Sequence, residues 1–257
     1  MGGILFRTAL KQEIIKKENT IATVKNPERA LRLSAELDIV VGTDNTKLAR
    51  QSNLILLAVK PNAVMEVVKE IRPEMNPKKL LISVAASVST QLIEEELRGK
   101  IPVIRAMPNT PCSVKYGMTG LCKGKYANEE DLNITRKFFD AVGLTVTVKE
   151  EHMDAVTGLS GSGPAFIYLI LESLVEAGVK IGLPRDVAII LATQTTRGAA
   201  QVVLDTGIHP ALLKDAVITP AGCTIDGILA LEEGKLRATL IKAVVKAKER
   251  ASKLLIN

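Results

Sequence analysis

TGLSGSGPAFIYLILESLVEAGVKIGLPRDVAIILATQTTRGAAQVV, residues 157–203, is the longest run in this chain with unbroken helical spacing and its own start and stop signals. The opening LSGSGPA places Ser160, Ser162 and two glycines ahead of Pro164, the chemistry of a helix start with a small capping residue and proline in the first turn. From Ala165 onward Phe166, Ile167, Leu169, Ile170, Leu171, Leu174 and Val175 occupy every side of the predicted helix. A helix apolar all round has to be buried all round. Gly182-Leu183-Pro184 stops it, and a second helix comes next with Val187, Ile189, Ile190 and Leu191, then Gly198, Ala199 and Ala200, small residues that allow close helix approach. One domain of this size has few places to hide such a pair, so packing against a second subunit is expected. Residues before the run read as α/β, and residues after it read as helix.

The chain has 257 residues, 47% hydrophobic and 24% charged, the composition of a globular protein able to bury a real core. Glu172 interrupts the most apolar helix, leaving no uncharged run of about 18 apolar residues, and the N-terminus lacks a signal-peptide pattern. A cytoplasmic protein without a membrane partner is expected. Cys112, Cys122 and Cys223 are odd in number and match no metal or redox spacing, so neither a disulfide framework nor a metal site is expected. Two histidines, His152 and His209, are too few and wrongly placed for a metal, and Glu150, Glu151 and Asp154 read as a solvated, dipole-favoured helix face. The net charge of +6 sits on lysines of helix faces, and with 3% aromatic residues and no tryptophan there is little to stack on bases. Nucleic-acid binding is not expected.

From the amino end, MGGILFRTALKQEIIKKENT reads as an uncapped helix, TIATVKN as a strand, NPERALRLSAEL as a helix, DIVVGTDN as a strand, TKLARQS as a short helix and NLILLAVKP as a buried strand. AVMEVVKEIRP, KLLISVAAS, TQLIEEELRG and IPVIRAMPN continue the alternation, and YGMTGLCKG and LTVTVKE close the first domain as strands. Strands apolar on both faces, alternating with helices, predict a doubly wound parallel sheet. The expected domains are 1–149, α/β, and 150–257, all-α.

A sheet of this kind that binds a dinucleotide begins with a strand and G-x-G-x-x-G, opening a helix whose N-terminus faces the pyrophosphate. Here Met1 and Gly2 fit the last two positions of that fingerprint, with Gly3 onward as the helix it opens and the first strand lacking. Residues upstream of Met1 are therefore expected to form an apolar strand ending in G-x-G-x. Without them the first half should fold poorly, since about five buried apolar side chains contribute on the order of 10 kcal/mol.

Three stretches together, ILLAVKP at 55–61, IRAMPNTPCSVKYGMTGL at 104–121, and the run from DAVTGLSGSGPAF through GVKIGLPRDVA to HPALLKDAVITPAGCTIDGILALEEGKLRATL, resemble the pyrroline-5-carboxylate reductases. The resemblance covers essentially the whole chain. It implies a Rossmann domain followed by a helical dimerisation domain, reduction of 1-pyrroline-5-carboxylate to L-proline with NADPH or NADH, and homodimers that can assemble into decamers. By resemblance Asn45, Ala58, Val59, Lys60, Pro61, Ala85, Ala86, Met107, Pro108 and Asn109 bind the cofactor, and Gly2, from the fingerprint, and Asn26, after the strand, join them as candidates. Ser87 departs from the family's glycine in A-A-G. TPAGCTI at 219–225 resembles the substrate loop, where backbone N–H groups at a helix start and a hydroxyl meet the carboxylate, an anion site of known physics. Thr219, Gly222, Cys223 and Thr224 are the expected substrate binders, Thr224 being the catalytic candidate, and Ala221 departs from the usual second glycine.

After the second strand of the full fold, Val24-Lys25-Asn26-Pro27-Glu28-Arg29 puts no acid at the strand end, where a carboxylate would hold the ribose hydroxyl, and Lys25 and Arg29 can meet a 2′-phosphate instead. NADPH is the expected cofactor, with NADH possible. Hydride transfer is the nicotinamide's chemistry, so the protein needs to position and to neutralise, and no acid–base pair is required. The site is expected between the domains, completed by the partner subunit. Two alternatives stay open here: a β-hydroxyacid-type dehydrogenase, against which the helix from Ala165 offers no lysine before Lys180, and a non-catalytic dimerisation protein.

Overall fold

The computed structural model describes residues 1–253. Contacts divide the chain into two compact units, Met1–Ser162 together with the chain from Val245 onward, and Gly163–Val244. The composition change at residue 150 thus precedes the contact boundary. Residues 150–162 belong with the first unit because Glu150, Asp154 and Ser160 are bonded to it.

In the first unit the order is α1 (Gly2–Lys11), β1 (Ile21–Thr23), α2 (Pro27–Leu37), β2 (Val40–Gly42), α3 (Asn45–Gln51), β3 (Leu54–Leu57), α4 (Val64–Ile71), β4 (Leu80–Ser83), α5 (Thr90–Leu97), β5 (Val103–Met107), β6 (Gly117–Lys123), α6 (Glu129–Asp140), β7 (Gly143–Thr147) and α7 (Met153–Val156). The opening helix is half the length read from sequence, because residues 12–16 turn before a 3₁₀ turn at Lys17–Asn19. It has no side-chain cap, as expected.

The strands form two sheets, β1 with β2 in parallel, and β3-β4-β5-β6-β7. These are the pieces that flank the first strand in the 3-2-1-4-5-6 order of a Rossmann sheet. β3, β4 and β5 are parallel, with Leu57 opposite Ser83 and Ser83 opposite Arg105. β6 runs antiparallel to β5, against the all-parallel expectation, because only a short 3₁₀ turn at Thr110–Val114 joins them and a parallel return needs a longer crossover.

The sheet is covered on both faces. One face packs Leu57, Leu81 and Val103 against Ala49, Val64, Val68, Ile71, Ile93 and Leu97 of α3, α4 and α5. The other packs Leu80, Ile82, Ile104 and Leu121 against Leu5 of α1 and Leu132 and Phe139 of α6. This explains why KLLIS reads as apolar without alternation: successive residues enter different cores, each side chain contributing about 1.5–3 kcal/mol by burial.

The second unit begins with α8 (Gly163–Lys180), preceded by a π-helical turn at Thr157–Gly161, and continues with α9 (Arg185–Thr206), α10 (Pro210–Val217), α11 (Cys223–Glu233) and α12 (Leu236–Ala251), whose last turns belong to the first unit. Gly207, at φ +65°, ends α9 in the left-handed conformation that a side chain resists. α8 and α9 bury only Val175, Gly178 and Ala188 within the chain. The helical stretch Glu150–Lys180, which contains α8, and α9 are long and apolar enough, by length and composition alone, to cross a membrane.

Candidate active site

Parallel strands with helical crossovers leave their carboxyl ends open to a ligand. The cofactor candidates read from the sequence lie at or beyond such ends, except Gly2, the first residue of α1, and Arg29, in the first turn of α2. Lys25 and Asn26 follow β1, Asn45 follows β2, Ala58, Val59, Lys60 and Pro61 follow β3, Ala85 and Ala86 follow β4, and Met107 ends β5, with Pro108 and Asn109 beyond it. Gly2 packs so closely that a Cβ there would lie 2.7 Å from Ala58 Cβ. That approach holds the N-terminus of α1, with its unshared N–H groups, beside the loop after β3.

Several of these side chains are already engaged. Asn26 caps α2, its Oδ1 accepting from Arg29 N–H at 2.8 Å. Asn45 accepts from the Thr23 hydroxyl at 2.7 Å and donates to Glu70 at 2.8 Å, fastening the ends of β1 and β2 to α4. The buried Asn109 donates to the Ser160 carbonyl at 3.0 Å and accepts from Met118 N–H at 2.9 Å, so its amide clamps the π-turn to β6. Lys25 and Arg29 are exposed and carry no ion pair among the described residues.

Sequence reading missed a polar cluster beneath this edge. Arg105, buried on β5, meets Glu150 at 2.5 Å and Asp154 at 3.4 Å. Glu150 also accepts from Thr90 N–H at 3.1 Å and its hydroxyl at 2.7 Å. Burial alone would push the Glu150 carboxyl up, but the Thr90 and Arg105 hydrogen bonds and the guanidinium charge together hold it below the usual range. Glu150 and Asp154 are thus ion-pair partners rather than a merely solvated helix face. The available signal was Arg105 itself, since a cation inside the apolar strand IPVIRAM demands a carboxylate. Nearby Cys122 is pushed up to about 12 by burial and by the Glu150 charge, which makes its thiol inert. Glu94 is raised by burial. Among the described residues no cluster can hold a metal ion.

The substrate-loop candidates lie together in the second unit. Gly222 N–H closes a turn on the Thr219 carbonyl at 3.0 Å, and a Cβ on Gly222 would strike the Thr219 hydroxyl. Ala221 adopts φ +57°, the left-handed region that favours glycine. Cys223 and Thr224 open α11, whose N-cap Gly222 supplies no side-chain acceptor, so the first N–H groups remain available to an anion. The thiol of Cys223 is exposed. His209 caps α10 through Nδ1, which accepts from Ala211 N–H at 3.2 Å, and His152 sits on an exposed 3₁₀ turn.

The doubly wound arrangement with its open strand ends, followed by a helical unit, is the architecture of a Rossmann-type dinucleotide-binding protein. Residues 1–87 match the family described as NADP oxidoreductase, coenzyme F420-dependent, and residues 150–254 match pyrroline-5-carboxylate reductase dimerisation. A pyrroline-5-carboxylate reductase of Methanosarcina acetivorans is 42% identical over 99% of this chain and 94% of its own, and that of Pisum sativum 39% over 99% and 92%. Among solved structures, the Plasmodium falciparum pyrroline carboxylate reductase with NADP bound superposes with a TM-score of 0.89 at 32% identity, covering 99% of this chain and 94% of that one. The Coxiella burnetii pyrroline-5-carboxylate reductase gives 0.86 at 34%, covering 98% and 96%. The chain belongs to the pyrroline-5-carboxylate reductase family.

Proposed function

We propose that this protein reduces 1-pyrroline-5-carboxylate to L-proline as a cytoplasmic homodimer, using NADPH in preference to NADH. The observation that carries the substrate assignment is the Thr219–Thr224 turn: an uncapped helix start, closed by Gly222 and carrying a free hydroxyl, suits a small carboxylate.

The residues at the strand ends fit a dinucleotide. The N-terminus of α1 at Gly2 would face its pyrophosphate, Lys25 and Arg29 the 2′-phosphate, and the loops at 58–61, 85–86 and 107–108 its two halves. When bound, the nicotinamide supplies a hydride. This chain's task is to orient the imine and neutralise its carboxylate through the N–H groups of Cys223 and Thr224. The Thr224 hydroxyl is the catalytic candidate, relaying a proton from solvent to the imine nitrogen and regaining its own in the same step, so that hydride and proton together convert C=N to the amine. In this reading Asn26, Asn45 and Asn109 act as braces of the cofactor edge, because their side-chain amides are already bonded.

The test is NADPH oxidation by the full-length protein with 1-pyrroline-5-carboxylate, followed by detection of L-proline. A folded dimer that oxidises no NADPH would sink the enzyme reading in favour of a non-catalytic dimerisation protein, and activity on a hydroxyacid alone would favour the other dehydrogenase class. Lys25→Ala with Arg29→Ala should raise KM for NADPH about tenfold and leave that for NADH nearly unchanged, as expected for lost charge-assisted contacts. Equal loss with both cofactors would refute the phosphate-reading role. Sedimentation decides whether dimers assemble further to a decamer.

A further inference from the structure

The loop after β4 is fastened at two points to segments far away in sequence. At its far end Glu150 accepts from both the N–H and the hydroxyl of Thr90, and Arg105 holds Glu150 in place. In its middle the Ser87 hydroxyl donates to the carbonyl of Ala251, the last residue of α12. Carbonyls in the last turn of a helix have no partner within the helix, so an outside donor is needed when the end is buried. Ala251 is buried, at 3% exposure.

Ser87 makes this bond from φ +67°, a conformation glycine adopts freely and a side chain adopts at about 1–2 kcal/mol. The serine therefore occupies a glycine-favoured conformation while presenting a hydroxyl. One hydrogen bond to an otherwise orphaned carbonyl offsets a cost of that size. Ala85 and Ala86, immediately before it, are the cofactor candidates of this loop.

We infer that Ser87 is a positioning residue for the dinucleotide: its hydroxyl latches the 84–90 loop to the end of α12, so that cofactor binding and order in the last turns of that helix reinforce one another. The inference rests on the proposed NADPH-dependent function. Ser87→Ala keeps the strained φ and removes the hydroxyl, whereas Ser87→Gly removes both and is compatible with the fold. The latch predicts that both variants raise KM for NADPH about fivefold, the worth of one neutral hydrogen bond, with kcat within about a factor of two. It also predicts that NADPH slows amide exchange across residues 245–253 in the native protein and does so little or not at all in either variant. Persistence of that protection in Ser87→Ala, or a Ser87→Gly enzyme that binds NADPH better than the native one, would overturn the latch and leave backbone strain as the serine's only effect. Failure of the native protein to bind NADPH at all would strike the proposed function itself, and the inference with it.

Discussion

The two units use apolar residues in opposite ways. On the sheet Leu81 and Ile104 are fully buried, whereas in the second unit Leu169 of α8 and Ile190 of α9 are 64% and 68% exposed. The sheet closes two cores within one chain, with helices on both faces. Among the described residues the helical unit closes no such core: α8 is apolar on every side yet buries only Val175 and Gly178, and contiguous exposed apolar side chains mark an interaction surface. The lesson is that the same hydrophobic content can specify a fold or an association, depending on whether the chain supplies the opposing face. The family match of residues 150–254 to a dimerisation domain fits the second outcome.

The largest expected effect separates these uses. Leu169→Asp with Ile190→Asp should weaken self-association by about 2–4 kcal/mol, roughly 30- to 1,000-fold in Kd, while the sheet unit keeps its near-native exchange protection. A double variant that sediments like the native protein at nanomolar concentration would break the comparison.

A smaller, concentration-independent effect belongs to the first unit. Arg105→Ala leaves Glu150 facing an empty site, and the usual 3–5 kcal/mol for a broken buried pair falls to about 2 kcal/mol because the carboxylate is partly open to water. Since the Glu150 carboxyl is depressed in the folded protein, its contribution is present above the unfolded carboxyl value, about 4.3, and is lost as pH falls through the folded one. Urea titrations at pH 7 and in acid should show that dependence in the native protein and a reduced one in the variant. An unchanged profile would refute the assignment of Glu150 as Arg105's partner.

The smallest effect tests the substrate loop. Ala221→Gly relieves a left-handed residue at about 1–2 kcal/mol but frees the unfolded chain by about 0.4–1, so a gain of about 0.5–1 kcal/mol is expected. A loss of stability by thermal melting would mean that the Ala221 methyl is held by packing instead of merely tolerated.

Much of this was present in local sequence. Gly207 after α9 and Asn26 before α2 act on their own neighbours. The start read at Pro164 is no true boundary, because Thr157–Gly161 is already helical and the Ser160 hydroxyl bonds back to the Val156 carbonyl instead of capping. The loops that the family resemblance singled out, at 58–61, 85–86 and 107–109, follow β3, β4 and β5. Three features needed the folded chain. Whether β6 runs with or against β5 depends on pairing across the sheet, which its own residues do not encode. The partners of Arg105 lie 45 and 49 residues away, and a charged residue announces that it needs a partner without saying which. Ser87 and Ala221 look like ordinary substitutions in sequence, yet both hold positive φ, because the surrounding structure fixes the backbone path and the side chain has to follow it. Local propensity and periodicity determined which elements form, while long-range packing and hydrogen bonding decided which residues each element would meet.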